Sequence, residues 1–330
     1  VVHHIWEPYP HIQKNLNRVK EIMISEMTVI HPDVKAKILD YINAPGKYVR
    51  AGLCLLFSAD SEGNIPEGKL YLAAYIELLH LATLLHDDVI DEANSRRGIM
   101  VINKSHSNRI AIYAGDYLLV YANRLGVKGA ELLEVTQKDV QITNRNLLER
   151  ILAGELSQLM NQFRSDMTMK DYLKQIKGKT AFLFALACQI GDWRPNMSRR
   201  RSHIAFQLGQ HIGMAFQISD DLIDYRISQD NSGKPRMQDI QNGIYTAPYL
   251  FAQHLSKDFQ NQLKTLNLRE LGEDDLVKLY DLMNKAGAFE KTEELVDAFL
   301  KKAFASLDKM AITETDTIKH FLAQLMDRQF

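Results

Sequence analysis

The sequence is poor in cysteine, proline and glycine, and nearly without net charge. Only Cys54 and Cys188 occur in 330 residues, too few for a disulfide framework, so a reducing, cytoplasmic setting is expected. With 8 prolines, 17 glycines and few β-branched runs of period two, the chain lacks the punctuation of a strand-rich fold. A net charge of −1 gives no general attraction to nucleic acid or to an anionic membrane. Cations that bind phosphate must therefore act locally. The stretch Val1–Trp6 has no cationic segment leading into an apolar one, so no signal peptide is expected. The richest apolar run, Tyr71–Leu85, is interrupted by Glu77 and His80 and is too short to cross a bilayer, so a soluble chain without a transmembrane segment is expected. A Gly-rich phosphate loop, a Ser-His-Asp or Cys-His set, zinc-ligand spacing, an internal repeat and a low-complexity linker are also missing.

What is present is long stretches of 3.6-residue periodicity, with 46% apolar and 25% charged residues. The reading is all-α, a single domain over residues 1–330, long enough to bury about three quarters of its unfolded surface. Helices are expected over 12–29, 33–42, 69–90, 110–126, 128–141 and 144–163, and again from Met169 through the apolar run ending at Cys188. A further helix holds Gly209 and Gly213, one turn apart, where two helices can approach closely. Residues 58–68, 92–109 and 228–239 read as loops, the second of them mobile; Arg199–Arg201 reads as a solvated helix start, and helices continue from about Leu263 to the end.

The helix over 69–90 ends in His86-Asp87-Asp88-Val89-Ile90-Asp91, with carboxylates at i, i+1 and i+4. Asp87 and Asp91 lie about 40° apart around the axis, so they repel on one face, at the negative end of the helix dipole. One such triplet is equally compatible with a solvated helix end. A second copy, Asp220-Asp221-Leu222-Ile223-Asp224, ends another apolar helix 133 residues downstream. Two copies after aliphatic runs point to oxygen ligands for Mg²⁺ and a diphosphate. Lys47 and Arg50 at i, i+3 read as solvated cations, His80 as a core histidine, and Asp116, Glu155 and Gln158 as buried helix-to-helix hydrogen-bonding groups, on the residues alone. Lys179, placed where a helix turns wholly apolar, needs a partner.

With these motifs in this order, the chain resembles the trans-polyprenyl diphosphate synthases, the head-to-tail isoprenyl chain elongation family. The resemblance runs through Gly46-Lys47 and Arg50, His80, Asp87 to Asp91, Arg96-Arg97-Gly98, Gly115-Asp116, Gly154-Glu155 with Gln158, Lys179-Thr180, Gln217, Asp220 to Asp224, Gly233-Lys234-Pro235 and Asp239. It implies a helical bundle around a deep central cavity. It also implies condensation of an allylic diphosphate with isopentenyl diphosphate to a medium- or long-chain all-trans product. Asp87, Asp88, Asp91, Asp220 and Asp224 would hold about three Mg²⁺ ions, supported by Asp221. Arg96, Lys179 and Lys234 would bind the allylic diphosphate. The Lys179 carbonyl, Thr180 or Gln217 would stabilise the allylic cation, and Lys47, Arg50, His80 and Arg97 would hold isopentenyl diphosphate. Ala82 and Thr83, small residues before the first acidic motif, would leave a product tunnel open to six or more isoprene units, although Ala82 by its wheel position equally packs against a neighbouring helix.

The expected assembly is a homodimer or a heterodimer with a small subunit. The sequence departs from the family pattern where Pro45, Tyr48 and Ala51 replace a glycine, an arginine and a proline, and where Ile244 replaces a basic residue. Two rival readings are a terpene cyclase, which needs no homoallylic site, and a non-catalytic subunit, whose acidic motifs should be eroded.

Overall fold

A computed structural model describes residues 3–136, 139, 146–225 and 237–327. The expectation that Gly233-Lys234-Pro235 forms a phosphate-binding loop lies outside these residues. In chain order the helices are α1 (Pro10–Ser25), α2 (Pro32–Asn43), α3 (Val49–Ser58) and α4 (Glu67–Ile90). A hairpin of β1 (Ser95–Arg96) and β2 (Ile99–Met100) follows, then α5 (Ile102–Ser105), α6 (Asn108–Leu132), α7 (Leu147–Met160) and α8 (Met169–Ile176). A π turn, Lys177–Ala181, leads into α9 (Phe182–Asp192) and α10 (Arg199–Ile223). The chain closes with α11 (Gln238–Gln241), α12 (Ala247–Leu255), α13 (Lys257–Thr265), α14 (Glu273–Lys285), α15 (Ala288–Met310) and α16 (Thr315–Met326). The fold is all-α apart from that hairpin among the described residues.

Local chemistry sets these boundaries. Pro10, Pro32 and Pro248 sit in the first turns of α1, α2 and α12, where a missing N–H costs nothing. Ser107 caps α6, and Thr168 with Asp171 forms a capping box on α8. The chain divides into two compact units, residues 1–145 with 186–203, and residues 146–185 with 204–330.

In the first unit α4 is the core helix. It is long and apolar enough to cross a membrane by length and composition, and 78% of its most apolar window is buried inside the fold. It packs on α6 at bare backbone, since a Cβ at Gly68 or Gly129 would strike the other glycine's carbonyl oxygen. The sequence reading split α6 near Gly126. The structure runs one helix through it, because Gly126 and Gly129 serve close packing against Tyr75 and α4. Lys69 is fully buried and donates to the carbonyls of Ile190, Gly191 and Trp193, which a helix end leaves without partners. The expected loop over 92–109 instead contains the hairpin and α5. Arg201, expected to be solvated, forks onto Asp192 with two bonds of 2.7 Å.

In the second unit α10 approaches α9 closely. A Cβ at Gly209 would meet the backbone of Phe184 and Ala185, and one at Gly213 would meet Ala181. Phe184 and Phe216 pack at 5.0 Å between ring centroids. Ser219 donates to the carbonyl of Met326 at 2.9 Å, tying α16 to α10. A Cβ at Gly154 would strike Gly178 and the N–H of Lys179, so α7 lies against the π turn at backbone distance.

Candidate active site

In the first unit, α4 closes with the N–H of Ala93 donating to Asp88 and that of Glu92 to Val89. This is the Schellman arrangement, with Glu92 at φ 51° in the position usually given to glycine. Asp87 is left half-buried and Asp91 exposed. Asp88 goes the other way. The sequence reading made it a metal ligand, but it is 1% exposed and its two oxygens accept from Arg96 Nε at 2.7 Å and Tyr41 Oη at 2.9 Å. Asn103 also donates to its carbonyl at 3.2 Å. Asp88 therefore fixes the helix end and the hairpin to each other. Burial and the neighbouring Asp88 carboxylate push the Tyr41 hydroxyl up, so it stays a donor.

The hairpin explains Arg96-Arg97-Gly98. Ser95 pairs with Met100 and Arg96 with Ile99, leaving Arg97 and Gly98 as a two-residue turn at φ 51° and 81°. Positive φ at both centres is the type I′ signature. Arg96 lies in the strand and reaches Asp88. Arg97 leaves the turn and lays its guanidinium against Gly46, where a Cβ would collide with it. Four sequence-predicted groups thus gather on α3, α4 and the hairpin. Burial first, then Arg50, Arg97 and Arg96, hold the His80 imidazole well below its usual range, so it is neutral. Glu77, three residues earlier, is buried; burial raises its carboxyl, while Arg50 and Arg97, then the Ala51 N–H and Lys20, pull it back.

Lys47 sits in the loop before α3, with its carbonyl bound by Trp6 Nε1 at 2.7 Å. Tyr48 replaces the family's arginine and adopts φ 49°; its hydroxyl donates to the carbonyl of Ile42 at 2.5 Å, and Lys20 Nζ lies 4.5 Å over its ring. The altered loop is thus anchored through the aromatic ring. One turn before Asp87, Thr83 is half-buried and bonds back to the His80 carbonyl at 2.8 Å, and Ala82 is fully buried. Asp116 is exposed and lies 3.2 Å from His86 Nε2.

In the second unit, α10 presents Asp220 exposed and Asp224 half-buried, and turns Asp221 inward. Asp221 accepts from Tyr172 Oη at 2.6 Å and Gln217 Nε2 at 2.7 Å, and Gln217 Oε1 accepts from Thr180 Oγ1 at 2.6 Å. The expected pair Thr180 and Gln217 is brought together. Burial pushes the Asp221 carboxyl up to about 7. Lys179 is not left waiting for a ligand, because Glu155 lies 3.1 Å from its Nζ. The backbone contact at Gly154 places Glu155 there.

Asp224 accepts the N–H groups of Gln238 at 3.1 Å and Asp239 at 2.9 Å, capping α11. Asp239, noted in the sequence only as part of the resemblance, is held well above the carboxylate range by burial, then by Asp221, Asp224 and Asp220. Ile244 donates its N–H to Asp239, so the position of the missing basic residue serves the backbone. Tyr41 and Tyr172 carried no signal in the sequence, since each is linked to its aspartate only by the fold.

Among the described residues no three acidic, His or Cys side chains already converge as a metal site. The donor chemistry nonetheless fits a hard cation. The outer acids offer only oxygen donors, and neighbouring carboxylates, after burial, raise the Asp221 and Asp239 carboxyls.

A family model described as polyprenyl synthetase matches residues 32–283. Heptaprenyl diphosphate synthase component 2 of Bacillus subtilis is 32% identical over 272 residues, 82% of this chain and 76% of that one. Among solved structures, a decaprenyl diphosphate synthase from Rhodobacter capsulatus has a TM-score of 0.85 at 27% identity, covering 98% of each chain. A polyprenyl synthase from Caulobacter crescentus, solved with calcium and isoprenyl diphosphate, has a TM-score of 0.78 at 27% identity, covering 98% of this chain and 95% of that one.

Proposed function

Because this chain belongs to the polyprenyl synthetase family, we propose that it joins an allylic diphosphate to isopentenyl diphosphate, head to tail, until a medium- or long-chain all-trans polyprenyl diphosphate is made. The observation that carries this reading is the pair of acidic helix ends, each with its middle acid locked inward on a tyrosine, with Asp91 and Asp220 exposed, Asp87 half-buried and Asp224 holding the start of α11. Asp87, Asp91, Asp220 and Asp224 would hold about three Mg²⁺ ions. When bound, those ions supply charge neutralisation for the departing diphosphate. Asp88 and Asp221 act through position, not ligation. Lys179 and Arg96, with Lys234, grip the allylic diphosphate. Thr180, Gln217 and the Lys179 carbonyl stabilise the allylic cation once the carbon–oxygen bond breaks. Lys47, Arg50, Arg97 and neutral His80 hold isopentenyl diphosphate with its double bond toward that cation. The proton lost after the new carbon–carbon bond forms goes to the released diphosphate.

We also propose that residues 1–330 act as one catalytic domain in the cytoplasm. The buried thiols of Cys54 and Cys188 suit that compartment. A second subunit would seat on α6, where Tyr113, Val120 and Val127 repeat every seven residues at 75%, 73% and 50% exposure. A partner has a precedent in the relative named as a component. Val120→Asp should then sediment as a smaller species than the parent.

Purified protein incubated with Mg²⁺, farnesyl diphosphate and labelled isopentenyl diphosphate should give labelled products of about six or more isoprene units. Unlabelled hydrocarbon products would favour a cyclase, and no incorporation with or without a partner would defeat the reading.

A further inference from the structure

The second unit carries another concave site, which the proposed reaction leaves unused. It is a cleft of about 640 Å³ lined by α8, the π turn, α10 and α15, within the range of small-ligand pockets. Lys170 and Lys174 line it from successive turns of α8, Lys177 from the π turn and Lys302 from α15. Like charges one turn apart repel. Among the described residues none of these four lysines has an ion pair with a carboxylate. Asp171 also lines the cleft, but its Oδ2 is already taken by Thr168 Oγ1 at 2.8 Å and Arg164 Nη2 at 3.4 Å.

Lys177 and Lys302 line the cleft with His211. Burial, then the charges of Lys302 and Lys177, lower the His211 imidazole, while a hydrogen bond with the Lys302 backbone pulls it back. His211 Nδ1 is buried with no hydrogen-bond partner among the described residues. The walls beneath are apolar. Lys302 Nζ lies 5.0 Å over the Phe299 ring, with Leu173 and Met214 beside it. In a chain of net charge −1 this is a local excess of positive charge around an apolar floor.

We propose that this cleft binds a phosphorylated amphiphile at a site separate from catalysis. The phosphate or diphosphate head lies across Lys174, Lys177 and Lys302, and the hydrocarbon lies along Leu173, Met214 and Phe299. The π turn links the cleft to the reaction. Lys177 enters the cleft, while Lys179, two residues on, meets Glu155. A head group drawn to Lys177 acts on the segment that presents Lys179. That regulatory consequence rests on the function proposed above; the binding does not.

Isothermal titration of the full chain in EDTA, without turnover, tests the binding by itself. The probes are inorganic diphosphate and farnesyl thiolodiphosphate, which does not ionise. The parent should bind the farnesyl probe more tightly than inorganic diphosphate. The double substitution Lys174→Glu, Lys302→Glu should weaken the farnesyl probe about tenfold or more, and Lys234→Ala, in the allylic diphosphate site proposed above, should leave that binding in place. Lys302→Ala, a milder change at an exposed residue, should weaken it in the same direction with an unchanged melting curve. Unchanged binding in the cleft-lysine variants overturns the site, as does loss in Lys234→Ala instead. Equal affinity for the two probes overturns the role of the apolar wall.

Discussion

Asp88 and Asp221 hold the same place in two acidic helix ends, and both turn inward onto a tyrosine hydroxyl. They differ in the second partner. Asp88 meets the Arg96 guanidinium, so the first end carries its own counter-charge, delivered by the hairpin. Among the described residues Asp221 accepts hydrogen bonds from the amide of Gln217 and the phenol of Tyr172, both neutral, and burial dominates, so the carboxyl rises to about 7. Its neighbour Asp239 is raised for the same reason. The inner acid of the first end is thus charge-paired within the fold, while that of the second is held by neutral donors.

The comparison breaks most sharply if the outer acids are unequal. Asp87→Ala and Asp220→Ala should each lower turnover by about a thousandfold or more, with the fold retained, because each removes a repelling acid from a helix end. Incorporation of labelled isopentenyl diphosphate at saturating Mg²⁺ measures this, and near-parent turnover in either variant would remove that motif from the reaction.

The inner acids should respond differently in stability. Asp88→Asn removes the charge that Arg96 bonds and should cost about 2 kcal/mol, the loss of a charge-assisted hydrogen bond, whereas Asp221→Asn keeps neutral partners and should cost about 1 kcal/mol or less. Thermal melts in EDTA compare the two. They also carry a pH test. An unfolded aspartate releases its proton near 3.9, whereas folded Asp221 keeps it to about 7. Its contribution to stability is therefore complete below about pH 4 and is lost as pH rises through about 7. Asp221→Asn should flatten the fall in melting temperature over that window, and Asp88→Asn should not.

The smallest effect concerns the residue one turn before each motif. Phe216 fills that place before Asp220, packed on Phe184. Thr83 holds it before Asp87. Thr83→Phe should shorten the product while sparing the first condensations, read by chromatography; an unchanged distribution places the tunnel floor elsewhere. Ala82→Phe is a poorer probe, since overpacking its fully buried site costs about 1–3 kcal/mol.

Periodicity made the long helices and both acidic ends legible, because apolar spacing and charge repulsion act along one helix. It did not reveal that Asp88 and Asp221 point inward, since Tyr41 and Tyr172 lie 47 and 49 residues away in the chain. The hairpin at 95–100 was missed because strands of two residues carry no period. Yet Arg97-Gly98 is the turn signal that could have found it. Gly126 was misread as a break because a glycine that ends a helix and one that admits a neighbouring helix look alike in sequence. Lys179 was assigned its need for a partner, but Glu155 came from the backbone approach at Gly154, which spacing does not encode.

The π turn also sets which kinds of change this chain can absorb. A π turn is an α-helix with one residue too many, and each residue turns the helix by about 100°. A deletion within Lys177–Ala181 would let the helix close into regular α geometry with its backbone bonds intact. Because the wide turn already absorbs the extra residue, the helices before and after it would keep their phase, and only the faces within Lys177–Ala181 would change. The same deletion made in the regular helix on either side would turn one flank by about 100° against the other. Loss of one residue is therefore tolerated best at the segment that presents Lys177 and Lys179, at the expense of their present faces.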